Sequence, residues 1–110
     1  VSLSITLPDI TWKLVHEISR LEPYGQENPR PLFLTKAVMV EDVRLLGKGG
    51  NHVKLVVSQD AEAYEGIAFN GVDHVREVKK GDVVDIIYTI EVNEWNGTRK
   101  IQLCLMDVEP

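Results

Sequence analysis

Cysteine is almost absent: Cys104 is the single one, so no internal disulfide can form, and one thiol without further ligands makes no zinc site. A small core or sheet residue in a reducing compartment accounts for it. Histidine is scarce too. His16, His52 and His74 stand far apart, and the one neighbouring Asp-His pair, Asp73-His74, falls in a stretch that reads as helix surface. No carboxylate and imidazole cluster has metal-ligand spacing, so neither a metal nor another cofactor is expected within this chain. Long apolar runs are missing as well: stretches such as Leu55 to Val57 fall far short of the roughly 20 residues of a membrane helix. No charged, hydrophobic and small-residue series marks a signal peptide. A cytoplasmic chain with no membrane partner is the expectation.

What is present is ordinary in amount and uneven in placement. Apolar residues make up 44% and charged residues 26% of the sequence, the balance of a globular protein. Its 110 residues suit one domain, which would bury roughly two thirds of its unfolded surface. The chain opens on Val1 rather than methionine and closes on Pro110 directly after a strand pattern, so it reads as a segment of a longer protein. The formal net charge of -5 weighs mildly against a phosphate-rich partner. Yet from Val43 to Gln59 there is no acidic residue, while Arg44, Lys48 and Lys54 are joined by His52. A local basic patch on an acidic domain and a plain solvated face both fit this pattern.

Residues 1 to 7 alternate Val1, Leu3, Ile5 and Leu7 against Ser2, Ser4 and Thr6, the period of a half-buried strand. Thr6 and Asp9 have capping-box spacing, Pro8 suits a first turn, and Ile10, Leu14, Ile18 and Leu21 recur at helical spacing until Pro23 stops them. Residues 22 to 33 hold three prolines and a glycine and form a stiff strap.

Beyond the strap a period of two dominates. Val38 and Val40 have one parity and Val43 and Leu45 the other, so a strand from Leu34 to Leu46 needs a bulge near Glu41 and Asp42 to keep both pairs inside. Residues 47 to 51 turn the chain. A second strand runs from His52 to Ser58, with Val53, Leu55 and Val57 inward and His52 and Lys54 outward, and a third from Tyr64 to Phe69. Val72, Val75 and Val78 suit a short helix between Asn70 and Lys80. A fourth strand runs from Val83 to about Asn93, with Val84, Ile86, Tyr88, Ile90 and Val92 on one face, and Glu94-Trp95-Asn96-Gly97 turns into a fifth with Ile101, Leu103 and Leu105 inward. Three strands, a short helix and two strands is the order of the OB-fold, a five-stranded barrel whose second and third strands and flanking loops bind oligonucleotides or oligosaccharides. The expected class is all-β with short helices. Residues 1–33 form the N-terminal strand, helix and Pro-rich strap, and residues 34–110 the barrel.

The strap carries a specific likeness. Leu21-Glu22-Pro23-Tyr24-Gly25-Gln26-Glu27-Asn28-Pro29-Arg30-Pro31-Leu32-Phe33 resembles the Leu-x-Pro-Phe-Gly-x-Gly-Asn-Pro-x-Pro-x-Phe signature that enters the OB domain of the RecJ exonucleases. It departs in Tyr24 for phenylalanine and Glu27 for glycine. Gly47-Lys48, Asn51 to Leu55, Ile67-Ala68-Phe69, Asp85 to Tyr88, Asn93 to Gly97 and Gln102 to Asp107 resemble further motifs of that family in the same order. The resemblance implies a non-catalytic module of a metal-dependent 5′ to 3′ exonuclease of DNA repair and recombination, which uses Mn or Mg. The Asp-His-His motif of that phosphoesterase superfamily is absent, so the nuclease site would lie in other domains. Single-stranded DNA is the implied partner. The nuclease core of the parent chain and single-strand-binding protein are further candidates.

On this reading Lys36, Arg44, Lys48, Lys54, Arg99 and Lys100 contact phosphates, joined by His52, and Trp95 or Tyr64 stacks on bases, each such stack contributing about 1–3 kcal/mol. Plainer roles stand beside these. Gly47 to Gly50 with Lys48 can be a simple hairpin turn, and is no P-loop because the spacing and the Lys-Ser/Thr ending are missing. Trp95 can cap the barrel end against Tyr88, and Tyr64 can be a cross-strand packing residue. Trp12 reads as an anchor to the barrel or a neighbouring domain, and Tyr24 and Phe33 as pins for the strap. A protein-interaction or scaffold module is the rival function, suited by the acidic balance. An independent hydrolase has no residue constellation to support it. Incubation of this chain with labelled single strands and Mg²⁺ or Mn²⁺ should leave them intact, because it offers no carboxylate and histidine cluster for the ion; chelator-sensitive cleavage by a clean preparation would overturn the assignment.

Overall fold

Every long element follows from alternation of side chains across a pleated strand. The computed structural model describes residues 2–27, 29–47, 52–69 and 77–110. Five strands carry the fold: β2 (Leu32–Leu46), β3 (His52–Gln59), β4 (Glu62–Ala68), β5 (Val83–Trp95) and β6 (Thr98–Glu109). Their order is β2-β3-β4-β6-β5, and β2 also pairs with β5, which closes the sheet into a barrel. All neighbours are antiparallel except β4 and β6, which run parallel. This is the OB-fold barrel that the element order predicts.

Closure depends on β2 serving two partners. Its residues 33–39 pair with β5 and its residues 39–46 with β3, and a register shift interrupts each ladder. One lies between Val40 and Asp42, where the change of parity predicts it. The other lies between Thr35 and Val38, where Ala37 adopts a φ of 57° and donates its N–H to Asp85 Oδ1 at 2.9 Å. Bulges of this kind let a strand bend sharply enough to close a small barrel.

The interior is filled by the inward residues of every strand: Val38 and Val40, Val53, Leu55 and Val57, Val84, Ile86 and Tyr88, and Leu103 and Leu105, each at most 2% exposed. Tyr88 is fully buried, and its hydroxyl shares a 2.7 Å hydrogen bond with the buried Thr35. Burial pushes the Tyr88 phenol up to about 12. Phe33 packs 6.0 Å from the same ring. Gly66 sits at a close approach: a Cβ there would stand 3.0 Å from the Leu105 side chain, which would have to give by a few tenths of an ångström.

The segment before the barrel closes one of its ends. A three-residue strand, β1 (Ser2–Ser4), pairs in parallel with the start of β2. Asp9 Oδ2 accepts the Thr6 N–H at 2.9 Å, and this bond holds the Asp9 carboxyl below its usual range. Leu7 and Ile10 are buried beneath. Thr11 then caps α1 (Trp12–Ser19) by accepting the Leu14 N–H. Gln59 ties these parts together, accepting from the Leu7 N–H at 2.9 Å and donating to the Lys36 carbonyl at 2.8 Å. The strap returns over α1, with the Tyr24 hydroxyl donating to the Ile18 carbonyl and Arg30 lying over the Tyr24 ring.

Four expectations need correction. The first strand is shorter than 1–7, because Leu7–Asp9 turns into a 3-10 helix. The helix stops at Ser19, and Leu21 is exposed rather than in the core. The bulge does bring Val43 and Leu45 opposite the buried Leu55 and Val53, but at the end of β2 Leu45 has passed the packed interior and is 65% exposed. Val92, expected inward, is 37% exposed on the β5–β6 arm. Of the expected helix between 70 and 80, residues 70–76 lie outside the described residues, and Val78 is buried.

Tyr88→Phe should therefore leave the Thr35 hydroxyl buried without its partner, at a cost of about 1–3 kcal/mol, seen as a fall in Tm of roughly 4–12 °C. Thr35→Val combined with Tyr88→Phe should recover part of that loss, since both polar partners are then gone. Thermal melts followed by circular dichroism decide it, and an unchanged Tm for the single variant would show that the bond does not support closure.

Candidate nucleic-acid interface

The outward side chains of β3 are His52, Lys54, Val56 and Ser58, because the alternate set is buried. Antiparallel register places Ile67 beside Lys54 and Glu65 beside Val56 on β4, and parallel register places Gln102 of β6 beside Glu65. Lys100 lies one pleat earlier on β6 and reaches back to the same carboxylate. Glu65 Oε1 accepts from Lys100 Nζ at 2.8 Å, and Glu65 Oε2 lies 3.3 Å from Lys54 Nζ. The Lys100 hydrogen bond holds the Glu65 carboxyl below its usual range, aided by Lys54 and opposed by burial.

Two depressions meet at this cluster, since Val56 and Glu65 line both. The larger, of about 500 Å³, has Ile10, Thr11 and Trp12 as one wall and Tyr64, Arg99 and Lys100 opposite. The smaller, of about 170 Å³, is bordered by Asp42, Arg44 and Lys54. Together they form a groove across the outer face of the barrel, from β2 to the start of α1. The Arg99 guanidinium stands 5.1 Å from the centre of the Trp12 ring, a cation–π contact. Tyr64 donates its hydroxyl to the Ile10 carbonyl at 2.7 Å, and burial raises its phenol.

The groove gathers five of the residues singled out in the sequence: Arg44, Lys54, Tyr64, Arg99 and Lys100. Arg44 is held by Asp42 at 3.1 Å. Tyr64 stands opposite the buried Val57 and packs against the core, so it anchors the wall of the groove more than it offers a free face. His52 lies on the same outer face toward its far end, edge-on to Phe69 at 5.0 Å, with a buried Nδ1 that has no hydrogen-bond partner among the described residues. Lys36 is exposed on the part of β2 that pairs with β5 and lines neither depression. Lys48 lies outside the described residues.

Trp95 does not cap the barrel against Tyr88: it is 75% exposed, and Tyr88 is fully enclosed. The turn is tighter than expected. Trp95 still pairs with Thr98, and the reversal is made by Asn96 and Gly97, with φ of 50° and 78°, the two positive values that favour Asn-Gly in a two-residue hairpin.

Two participants escape a reading of the sequence. Glu65 looks like one more surface acid until register places it between two lysines. Trp12 reads in the sequence as an anchor, and the helix carries it to the rim of the groove, 46% exposed. Among the described residues, no group of three or more His, Cys, Asp and Glu could hold a metal ion, and no helix is long and apolar enough to cross a membrane. Burial pushes the Cys104 thiol up, the environment of an inert cysteine.

The family model described as the RecJ OB domain matches residues 1–107. The single-stranded-DNA-specific exonuclease RecJ of Bacillus subtilis is 31% identical over 97% of this chain, which covers 14% of that protein. The crystal structure of RecJ in complex with Mn²⁺ from Thermus thermophilus matches 100% of this chain over 15% of its own, with 25% identity and a TM-score of 0.73. The same protein in complex with Mg²⁺ gives 26% identity and 0.68 over 99% of this chain, or 16% of that one. The chain thus spans a small part of the relatives it matches.

Tyr64→Phe should lower stability by about 0.5–1.5 kcal/mol, the net worth of one hydrogen bond, and should loosen the wall that carries Trp12. Acrylamide quenching of Trp12, measured in a Trp95→Phe background, should increase. Unchanged quenching would mean that this bond does not hold the wall in place.

Proposed function

The chain belongs to the RecJ OB domain family, and on that premise we propose that it holds single-stranded DNA for an exonuclease whose catalytic site lies in other domains of the same protein. The observation that carries this reading is the groove, where the cations Arg44, Lys54, Arg99 and Lys100 line a surface that also presents Trp12. Lysine and arginine at this spacing suit a phosphodiester backbone, and an exposed indole suits an unpaired base, so the groove would accept strands without regard to sequence. His52 extends the outer face of β3, Lys36 and Lys48 supply further cations for phosphates, and the Trp95 hairpin offers a second stacking face. Tyr64 serves as support. The Mn²⁺ or Mg²⁺ that serves hydrolysis would be held in the nuclease domains, and a cytoplasmic setting accords with this role.

Exposed Leu45, Phe69 and Met106 favour a second role beside the first. Exposed apolar side chains such as these can pack on the nuclease core or on a single-strand-binding protein.

The test is a titration of fluorescent single-stranded and duplex oligonucleotides over a salt series. Wild type should bind single strands more tightly than duplex, with log affinity falling linearly with log salt. Lys54→Ala should weaken binding and flatten that slope by about 0.7, the single-strand increment for one phosphate. Trp12→Ala or Trp95→Ala should lower affinity by about 1–3 kcal/mol with the slope nearly unchanged, because stacking releases no condensed ions. Equal binding by all four proteins, or none at low salt, would transfer the role to protein interaction.

A further inference from the structure

Glu65 is out of place in a groove meant for a polyanion. It is not a bystander at the edge: it lines both depressions, and its side chain is 26% exposed. Its two oxygens are divided between two cations that come from different strands, Lys100 at 2.8 Å and Lys54 at 3.3 Å. A phosphodiester presents the same feature, two anionic oxygens on one centre that can each accept from a lysine. The lysines are also unequal in freedom, with Lys54 29% and Lys100 59% exposed. Lys100 can therefore swing to an incoming anion more readily than Lys54.

We propose that Glu65 is a built-in stand-in for a backbone phosphate, occupying the position between Lys54 and Lys100 that a phosphodiester of single-stranded DNA takes, so that every strand must displace it. This rests on the reading of the groove as a single-strand site. Three consequences follow from the chemistry. The carboxylate keeps two lysines extended and ready in the empty protein, which lowers the ordering cost of binding. It weakens binding, because the strand gains only the difference between two pairings and must lie beside a displaced negative charge. It also widens the groove on release, since the ion pairs that span the border shared by its two depressions are then gone. The outcome is a groove of moderate grip, suited to a strand that must advance.

The experiment compares wild type, Glu65→Gln, Lys54→Ala/Lys100→Ala and the triple variant by titration with a fluorescent single-stranded oligonucleotide over a salt series, after circular dichroism shows each folded. Glu65→Gln should bind roughly fivefold more tightly at low salt, with a slope steeper by about 0.7, one further neutralised phosphate. In the background lacking both lysines, the same substitution should give no gain. A gain that persists there would mean simple long-range repulsion and would overturn the proposal. So would wild type binding as tightly as Glu65→Gln. No binding by either protein would overturn the single-strand reading itself, and this inference with it. Inorganic phosphate at equal ionic strength should not compete; competition would show that the pair of lysines selects a free anion and not a strand. If Glu65→Gln melts too low for titration, the side-chain carboxyl ¹³C resonance of Glu65 in wild type answers instead. It should move as oligonucleotide is added, and an unmoved resonance at saturation would overturn the proposal.

Discussion

The pairing of β2 with both β3 and β5 is the constraint on which the rest of the molecule depends. A fifteen-residue strand cannot serve two neighbours on a curved surface without breaking its register, and β2 breaks it twice. At the seam with β5, the Thr35–Tyr88 hydrogen bond and the Phe33–Tyr88 contact occupy the interior. Outside it, Asp85 captures the Ala37 N–H that the second shift leaves turned away. Closure fixes which residues of β3 and β4 face out, and only then do Lys54, Val56 and Glu65 share a surface.

Electrostatics on that surface are local. A chain of net charge -5 can still present cations to a polyanion if its acids are elsewhere or already engaged. Here they are engaged: Asp42 holds Arg44, and Glu65 holds two lysines. Such pairs add little to stability where they are open to solvent, so their worth lies in orientation. The chain belongs to the RecJ OB domain family and corresponds to a small part of its relatives.

Much of the fold was legible because it rests on alternation. The inward sets of β3, β5 and β6 and the bulge at Val40 and Asp42 can be counted from parity, and the family from the strap and the motifs that follow it. The groove was legible only in part. Arg44, Lys54, Arg99 and Lys100 announce themselves by charge, but Glu65 acquires meaning only from the parallel pairing of β4 with β6, a contact between strands distant in sequence. The place of Trp12 beside Arg99 was not legible, because helical periodicity says which residues turn inward and nothing of what lies beside those that do not. Leu45 and Val92 had the right parity and lay too near the strand ends to be covered.

One feature of the groove reaches beyond its chemistry: its two walls come from separate parts of the chain. Ile10, Thr11 and Trp12 belong to the segment that precedes the barrel, while Tyr64, Arg99 and Lys100 belong to the sheet. The segment is held on by the pairing of β1 with β2, by polar ties such as Gln59 to Leu7 and Tyr64 to Ile10, and by Leu7, Ile10 and Val15 buried against the core. A helix outside the barrel's own ladders can open as a local unit without the sheet it covers. Undocking of the helix would remove one wall while every ladder of the barrel stayed intact. A ligand that touches both walls must then favour the docked form by its own binding free energy, and its residence is tied to how long the helix stays in place.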